Sequence, residues 1–205
     1  MISKIRKADS DENILKAADL LRKGGVIIHP TETIYGFAAN ALQVNAVRRV
    51  DAIKSRQFKE TYIVLMRDLA MARKYNVEFD RTAEKLALRF WPGPLTMVLP
   101  ASKESALIHL ASLGTLAIRV SPDKFVEKLF THIDFPVIST SVNKSGRPPL
   151  SSPEKMENQF RREVDLILER GTSVGAVPST IIAIRNNVIS VIRKGAVSEE
   201  ELYGI

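Results

Sequence analysis

Short apolar runs alternate with amphipathic segments along most of this chain, and this alternation constrains its fold more than any other feature. Residues 26–29 and 61–66 are short, rich in β-branched residues and bounded by turn formers, which predicts buried strands. Residues 11–23 place apolar side chains at helical spacing between a polar start and a Gly-Gly stop. Strands that alternate with helices are typical of an α/β domain.

The last third of the chain adds a hairpin to this pattern. Asn186 and Asn187 separate two runs of β-branched residues, and asparagine tolerates the positive φ that a two-residue turn requires. A hairpin combined with helical crossovers favours one large, mixed and twisted sheet flanked by helices. We therefore expect a single α/β domain over residues 1–205, with its core at about 11–195 and no second domain. The predicted helices are 11–23, 45–54, 68–75, 82–90, 124–130, 153–162 and 198–202, and the predicted strands are 26–29, 61–66, 96–99, 115–120, 137–139, 165–168, 179–184 and 188–192.

Composition excludes several kinds of chemistry. The 205 residues are 45% hydrophobic and 26% charged, which is typical of a globular protein. The absence of cysteine excludes disulfides, thiolate metal ligands and cysteine nucleophiles, and the three histidines lack metal-ligand spacing. No signal-peptide core and no apolar run near the roughly 20 residues of a membrane span occurs. We expect a soluble cytoplasmic protein with no membrane partner and no metal held by its own side chains.

The charge balance leaves two interpretations open. Lys and Arg number 30 against 23 Asp and Glu, a formal net charge of +7. Such an excess attracts polyanions such as nucleic acid and nucleotide phosphates, and it also serves solubility. Charge alone does not decide between these interpretations.

Three polar segments lie at the ends of predicted elements. Residues 30–36 follow a strand and are rich in hydroxyls, which fits a ligand-binding strand end or a plain turn. Lys54 and Arg56 end a helix, where the helix dipole favours cations and where a lysine beside a forked guanidinium also makes a phosphate clamp. The Trp91–Pro94 corner is structural when considered alone.

Arg119 and the serines near residue 140 point more strongly to a ligand. Arg119 lies inside an apolar strand, where its guanidinium needs an anion, and both a structural salt bridge and a ligand carboxylate satisfy it. Strand alternation puts Ser139, Ser141 and Asn143 on one face. We favour a polar pocket there because each buried hydroxyl needs a partner.

The hairpin supplies one more pair of polar groups. Ser179 leads into its first strand and Arg193 leaves its second, so we expect both to lie near the same end and to reach one anion.

The chain has no Gly-rich Walker loop, no GxGxxG motif and no Ser-His-acid arrangement. The candidate side chains that remain are hydroxyls, which recognise polar groups, and cations, which neutralise phosphates. Such a set suits nucleotidyl transfer, which is catalysed by positioning and electrostatics.

Taken together and in order, these segments resemble the YrdC-like family of threonylcarbamoyl-AMP synthases. Members of that family read P-T-E/D-T-x-Y-G, K-x-R, W-P-G-P-L-T, A-V/I-R-V/M-P, S-x-N-x-S-G, S-T-I/V and R-x-G. Each motif is weak alone, whereas their order along nearly the whole chain is specific. In this chain the motifs are residues 30–36, 54–56, 91–96, 117–120, 141–146, 179–181 and 193–195.

The resemblance implies an α/β twist with a wide, positively charged concave face and two sets of site residues. The set implied for ATP is Lys54, Arg56, Thr115, Ser141, Asn143 and Arg193, with Lys54 and Arg56 as the catalytic cations. The set implied for threonine is Thr31, Arg119, Ser139 and Ser179, with Arg119 facing the carboxylate.

The resemblance also implies a reaction and its partners. Threonine captures CO2 derived from bicarbonate, and the resulting carbamate attacks the α-phosphorus of ATP, with Mg²⁺ bridging the phosphate oxygens. The product serves tRNA threonylcarbamoyladenosine modification, which implies downstream transferase proteins and tRNA or double-stranded RNA on the basic face. We expect Lys54→Ala and Arg56→Ala to leave folded proteins that no longer form the adenylate.

Some positions depart from the family pattern. Residues 57–62 replace the prolines that often follow K-x-R, so the loop after Arg56 is less rigid. Pro178 replaces a frequent glutamate, and Ser139 and Val142 stand where alanine is frequent. The rival interpretations are a non-catalytic tRNA- or double-stranded-RNA-binding protein of the same fold, a carbamoyl-adenylating domain, and a relative that has lost activity.

Overall fold

The computed structural model describes residues 3–55, 61–173 and 175–204. Within these ranges the chain forms ten strands and seven α-helices, and all of the strands belong to one sheet. The strands are β1 (Ile5–Lys7), β2 (Ile27–His29), β3 (Gly36–Asn40), β4 (Ile63–Leu65), β5 (Leu95–Pro100), β6 (Thr115–Arg119), β7 (Val137–Ser141), β8 (Leu166–Glu169), β9 (Thr180–Arg185) and β10 (Val188–Arg193). The helices are α1 (Asp11–Arg22), α2 (Val44–Lys54), α3 (Leu69–Lys74), α4 (Arg81–Phe90), α5 (Lys124–His132), α6 (Pro153–Phe160) and α7 (Glu199–Tyr203).

The sheet is mixed, as the sequence predicts. Its strand order is β1-β8-β2-β3-β7-β4-β6-β5-β9-β10. Four neighbouring pairs run parallel and five run antiparallel. Neighbours such as β3 and β7 are distant in sequence, so the sheet brings segments together that no local pattern connects.

Helices cover both faces of the sheet. His29 is paired with Gly36 across β2 and β3, so these two residues share a face and Phe37 lies on the other. On the His29 face, the ring of Phe125 from α5 lies 5.7 Å from the imidazole. On the opposite face, Phe37 meets Phe160 of α6 edge-to-face at 5.0 Å. These contacts define two apolar layers, one on each side of the sheet.

The sequence analysis missed two strands. β1 contains two charged residues, Arg6 and Lys7, and it is an edge strand held by parallel pairing to β8. β3 is fully buried, yet it contains a glycine and two alanines, which are poor strand formers. In both cases pairing with neighbouring strands outweighs weak intrinsic propensity. No helix in the described ranges is long and apolar enough to cross a membrane.

The predicted hairpin turn is confirmed. Asn186 and Asn187 have φ values of 52° and 61°, so both central residues are left-handed, as a type I′ turn requires. The turn is held by Asp80, the residue that caps α4, because the backbone N–H of Asn187 donates to Asp80 Oδ2 at 2.8 Å. The hairpin therefore presents Arg193 at a defined place.

Replacing Asn186, which is exposed, tests this turn. Asn186→Val puts a β-branched residue at positive φ and should lower the free energy of unfolding by about 1–2 kcal/mol. Asn186→Gly is the matched control and should not destabilise, because glycine adopts this conformation freely. Urea denaturation of both variants measures the difference, and equal stability of the two variants would contradict the left-handed turn.

Candidate active site

A polar cavity of about 220 Å³ lies on the face of the sheet that carries Gly36. Five predicted site residues line it, namely Arg119, Ser139, Ser141, Ser179 and Arg193. They come from the end of β6, from β7 and from the base of the β9–β10 hairpin. The structure thus brings two cations and several hydroxyls from distant segments of the chain to one cavity.

Arg119 is the most buried cation of the cavity, with 3% of the residue exposed. Its Nη1 donates to Thr33 Oγ1 at 3.1 Å and lies 3.0 Å from Glu32 Oε1. The Glu32 contact is an ion pair without hydrogen-bond geometry, and the buried Nε of Arg119 has no hydrogen-bond partner among the described residues. Burial lowers the pKa of Arg119, while the charges of Glu32 and Asp123 oppose that shift. The structure therefore contains the salt bridge, and it also places the guanidinium at the wall of the polar cavity.

Arg193 approaches the same cavity from the hairpin. Its Nη2 donates to the Ser179 carbonyl at 2.8 Å and to Ser179 Oγ at 3.1 Å, which confirms the predicted proximity of these residues. Ser179 Oγ is further held by Thr96 Oγ1 at 2.9 Å. Burial lowers the pKa of Arg193, and the positive charge of Arg119 lowers it further. Two guanidiniums that repel each other across one cavity make it favourable for an anion.

The serines of β7 face the cavity, as strand alternation predicts. Ser139 Oγ lies 3.3 Å from the Nε2 of His29, and Ser141 Oγ donates to Asn143 Oδ1 at 2.6 Å. Asn143 lies beyond the end of β7 and is not among the lining residues. Its amide is used within the loop instead, where its Nδ2 donates to the carbonyl of Arg147.

Lys54 has a different environment from the one we expected. A phosphate clamp at the end of a helix calls for an accessible cation, whereas only 2% of Lys54 is exposed. Its ammonium donates to the carbonyls of Ser141 and Asn143 at 2.7 and 3.1 Å and to Asn143 Oδ1 at 2.8 Å. An ammonium has three donors, so all three are used within the loop. Lys54 therefore links the end of α2 to the loop after β7, and a phosphate contact would require one of these bonds to be exchanged.

Thr115 is not among the residues that line the cavity. It begins β6 on the same face as Arg119, and the strand register places it level with Ser141. Its hydroxyl donates to the carbonyl of Ser112 at 2.8 Å. Its predicted contact with ATP stays a prediction. Arg56, the second cation of the predicted clamp, lies outside the described residues, so its role stays a prediction.

Thr31 faces a neighbouring cavity rather than the one lined by Arg119. That second cavity has a volume of about 640 Å³ and is also lined by Glu32 and Asp123. Thr31 Oγ1 donates to the carbonyl of Ile34 at 2.8 Å and accepts the Thr33 N–H at 3.2 Å, so it shapes the turn. Thr33, two residues later, lines the first cavity and contacts Arg119.

Sequence reasoning missed three residues of the site. Thr33 and Glu32 belong to the hydroxyl-rich segment that was singled out, but a turn without regular geometry does not reveal which side chain points inward. His29 precedes that segment and contacts Ser139 across the sheet. The sequence feature that could have identified His29 is the presence of a histidine inside an apolar strand.

Comparison with known proteins supports this arrangement. The profile of the family Sua5_yciO_yrdC, described as telomere recombination, matches residues 19–195. The chain belongs to this family. The match includes every segment that lines the cavity.

Named members of the Sua5/YciO/YrdC family align over most of the chain. The threonylcarbamoyl-AMP synthase of Vibrio cholerae is 36% identical over 90% of this chain and 98% of its own length. The threonylcarbamoyl-AMP synthase of Pyrococcus abyssi is 32% identical over 98% of this chain. The chain spans only 59% of the length of that archaeal relative.

Solved structures of the family show the same fold. P. abyssi Sua5 complexed with L-threonine superposes with a TM-score of 0.87 and 31% identity, covering 99% of this chain and 59% of the other. E. coli YciO superposes with a TM-score of 0.84 and 27% identity, covering 97% and 96% of the two chains. The α/β twist expected from the sequence is therefore confirmed.

Removing the Lys54 ammonium should destabilise the protein. Lys54→Met keeps the aliphatic stem but removes the ammonium, so the carbonyl of Asn143 loses that donor, while the carbonyl of Ser141 and Asn143 Oδ1 keep only their contacts within the loop. We expect a loss of about 2–4 kcal/mol in the free energy of unfolding, measured by urea denaturation. Lys128→Met is the matched control, because Lys128 pairs with Asp11 on the surface and should change stability little. Equal stability of Lys54→Met and the wild type would contradict the structural role.

Stability should depend on pH through His29. Burial lowers the pKa of His29 from 6.5 to about 4. Below pH 6.5 the unfolded chain binds a proton that the folded chain does not bind until about pH 4. Stability is therefore unaffected by His29 above pH 6.5 and falls by roughly 3 kcal/mol as the pH drops to about 4.

The variant His29→Gln should remove this part of the pH dependence. Urea denaturation at several pH values between 7 and 4 measures it, and the difference from the wild type isolates the contribution of His29. His132→Gln, which changes an exposed histidine at the end of α5, is the control and should keep the wild-type slope. An unchanged slope in His29→Gln would show that the buried imidazole is not the cause.

Proposed function

We propose that this chain is a threonylcarbamoyl-AMP synthase that uses L-threonine, CO2 derived from bicarbonate, and ATP. The observation that carries the proposal is the convergence of Arg119 and Arg193 with serine hydroxyls on one small cavity. The relatives from Vibrio and Pyrococcus bear this activity in their names. The Sua5 protein of P. abyssi has been solved as a complex with L-threonine, which is the amino acid that the proposal requires.

The size of the cavity supports the amino acid as its occupant. A volume of about 220 Å³ is below the roughly 300–1,000 Å³ that pockets for drug-sized ligands have. The cavity therefore suits threonine, with its carboxylate at Arg119. The nucleotide would extend over the rim, where Ser141 joins the cavity to the loop held by Lys54. Arg193 lines the same cavity from the side of the β9–β10 hairpin.

The reaction needs no side-chain nucleophile. The threonine nitrogen loses two protons and forms a bond to the carbon of CO2, which gives a carbamate. A carbamate oxygen then bonds to the α-phosphorus of ATP, and the bond to the bridging oxygen of the β-phosphate breaks. Pyrophosphate leaves with the electron pair of that bond, and threonylcarbamoyl-AMP remains.

The protein contributes positioning and charge. A carbamate and a triphosphate are both anions, so their approach is opposed by repulsion. Arg119 holds the carboxylate end in a buried site, and Arg193 adds a second positive charge to the same cavity, which reduces the repulsion between the two anions. Fixed charges in a cavity of this kind need no reorganisation during the reaction, which is why they are effective. Arg56 would add a further cation if the clamp predicted from the sequence forms.

Magnesium fits this scheme as a companion of the nucleotide. The described ranges contain no group of three or more His, Cys, Asp or Glu that could hold a metal ion. The nearest carboxylate, Glu32, is engaged by Arg119 and Ser121. Magnesium is commonly held by substrate phosphates with few protein ligands, so Mg²⁺ would be held chiefly by the phosphate oxygens of ATP and would neutralise their charge.

The proposal includes a place in tRNA modification. The product is an activated carbamoyl group, so a downstream transferase must consume it to form threonylcarbamoyladenosine in tRNA. The net charge of +7 supports contact with tRNA through a basic face. A cytoplasmic location would follow from that role.

Pyrophosphate release tests the activity directly. Purified protein should release pyrophosphate only when ATP, Mg²⁺, bicarbonate and L-threonine are all present. Release without threonine, or no release with all four, would contradict the proposal. Binding of tRNA without any turnover would instead favour the non-catalytic RNA-binding interpretation.

Two arginine variants separate the roles of the cations. Arg119→Lys keeps the charge but loses the forked geometry, and it should raise the KM for threonine roughly tenfold with a smaller effect on ATP. Arg193→Ala should raise the KM for ATP more than that for threonine. Arg185→Ala, at the turn end of the same hairpin, is the control and should match the wild type. Equal KM values for Arg119→Lys and the wild type would exclude the carboxylate contact.

A further inference from the structure

His29 and Ser139 form a polar pair under the cavity that the proposed reaction does not yet use. His29 is 1% exposed and Ser139 is 7% exposed. The two side chains meet at 3.3 Å between Nε2 and Oγ. Ser139 lines the cavity, whereas His29 lies behind it and is not among the lining residues.

Gly36 keeps this pair clear of other side chains. An added Cβ at Gly36 would lie 2.6 Å from Ser139 Oγ and 3.4 Å from His29 Nε2. Real side chains do not approach a hydroxyl so closely, so any residue larger than glycine at position 36 would displace Ser139. The absence of a side chain at this position leaves the Ser139 hydroxyl at the cavity wall.

The surroundings of His29 favour one tautomer. The carbonyl of Pro30 acts on the imidazole, and Nδ1 is the ring nitrogen that has no hydrogen-bond partner among the described residues. A lone pair on Nδ1 would face the lone pairs of that carbonyl oxygen, and two facing acceptors repel each other, so the proton belongs on Nδ1. With the proton on Nδ1, Nε2 accepts and Ser139 donates its O–H to the imidazole. Burial also lowers the pKa of His29 to about 4, so the ring is neutral at pH 7.

We propose that His29 is a positioning residue that turns the lone pairs of Ser139 Oγ toward the α-ammonium group of the amino-acid substrate. The proposal rests on the proposed function, because it takes threonine as the occupant of the cavity. A hydroxyl whose proton is committed to His29 offers only acceptor sites to a ligand. An amino acid whose carboxylate lies at Arg119 still has ammonium donors that need acceptors.

Two other hydroxyls of the cavity accept hydrogen bonds from arginines, whereas Ser141 donates its proton to Asn143 Oδ1 at the end of β7, farther from Arg119 than Ser139 is. Thr33 Oγ1 accepts from Arg119, and Ser179 Oγ accepts from Arg193. Both hydroxyls therefore belong to the anion-binding side of the cavity. Ser139 is held by a neutral group instead, which suits a cationic ligand group. In this arrangement the Ser139 hydroxyl receives the ammonium end of a zwitterionic amino acid, and Arg119 receives its carboxylate end.

Calorimetric binding of L-threonine to the wild type and six variants tests this inference. Ser139→Ala and His29→Phe should each weaken binding roughly tenfold. The double variant should also be roughly tenfold weaker and not a hundredfold, because His29 acts through Ser139. His29→Gln carries an amide that can replace the imidazole acceptor and should recover most of the affinity. His132→Phe and Ser190→Ala, which change exposed residues outside the cavity, are the matched controls.

The outcomes separate the two proposals. Absence of threonine binding by the wild type would contradict the proposed function. Normal wild-type binding with unchanged affinity in Ser139→Ala, or additive losses in the double variant, would contradict only the role of the pair. Melting temperatures of the variants identify any that fail to fold.

A second measurement requires no change at His29. Nitrogen NMR of the histidine-labelled wild type should show a neutral His29 at pH 7 with its proton on Nδ1. Addition of L-threonine should shift the Nε2 signal in the wild type but not in Ser139→Ala. A proton on Nε2 would overturn the inference even if the His29→Phe protein does not fold.

Discussion

The buried guanidinium of Arg119 is the interaction around which the site is arranged. A charge in a largely apolar sheet is costly unless opposite charge and hydrogen-bond acceptors meet it. Glu32 and Thr33 meet it from the loop between β2 and β3, and this ties that loop to β6. One Arg119 nitrogen, Nε, nevertheless has no hydrogen-bond partner among the described residues. The cavity therefore retains net positive character after the fold has formed, and Arg193 adds to it.

The site lies across a face of the sheet and is not confined to one edge. Arg119 ends β6, whereas Ser141 ends β7, and β7 runs antiparallel to the β4 strand that accompanies β6. The two residues therefore lie toward opposite ends of the strands. This separation gives room for two anionic substrates in sequence along the face. A parallel sheet with a single ligand edge does not offer that arrangement.

Lys54 shows why the position of a charge in the sequence does not determine its role. A lysine at a helix C-terminus near a basic segment indicates a solvent-facing cation. In the folded chain its ammonium is enclosed by the loop after β7, and the Ser145 N–H returns a bond to the Lys54 carbonyl. The loop that carries Ser141 and Asn143 is thus fixed by the helix that carries the lysine. The Lys54 ammonium therefore stabilises the position of this loop through its hydrogen bonds.

The sequence by itself determined the α/β class, most helices and strands, the asparagine turn and the pairing of Ser179 with Arg193. These features follow from local periodicity, from tolerated φ values and from short separations along the chain, which are written in consecutive residues. Only the tertiary structure decided that Thr33 and not Thr31 faces Arg119, that Lys54 is buried and that His29 contacts Ser139. The first depends on the path of an irregular turn, and the other two depend on strand register and loop packing between segments that lie far apart in sequence. Such arrangements are fixed by which surfaces meet, and consecutive residues carry no periodic signal for them.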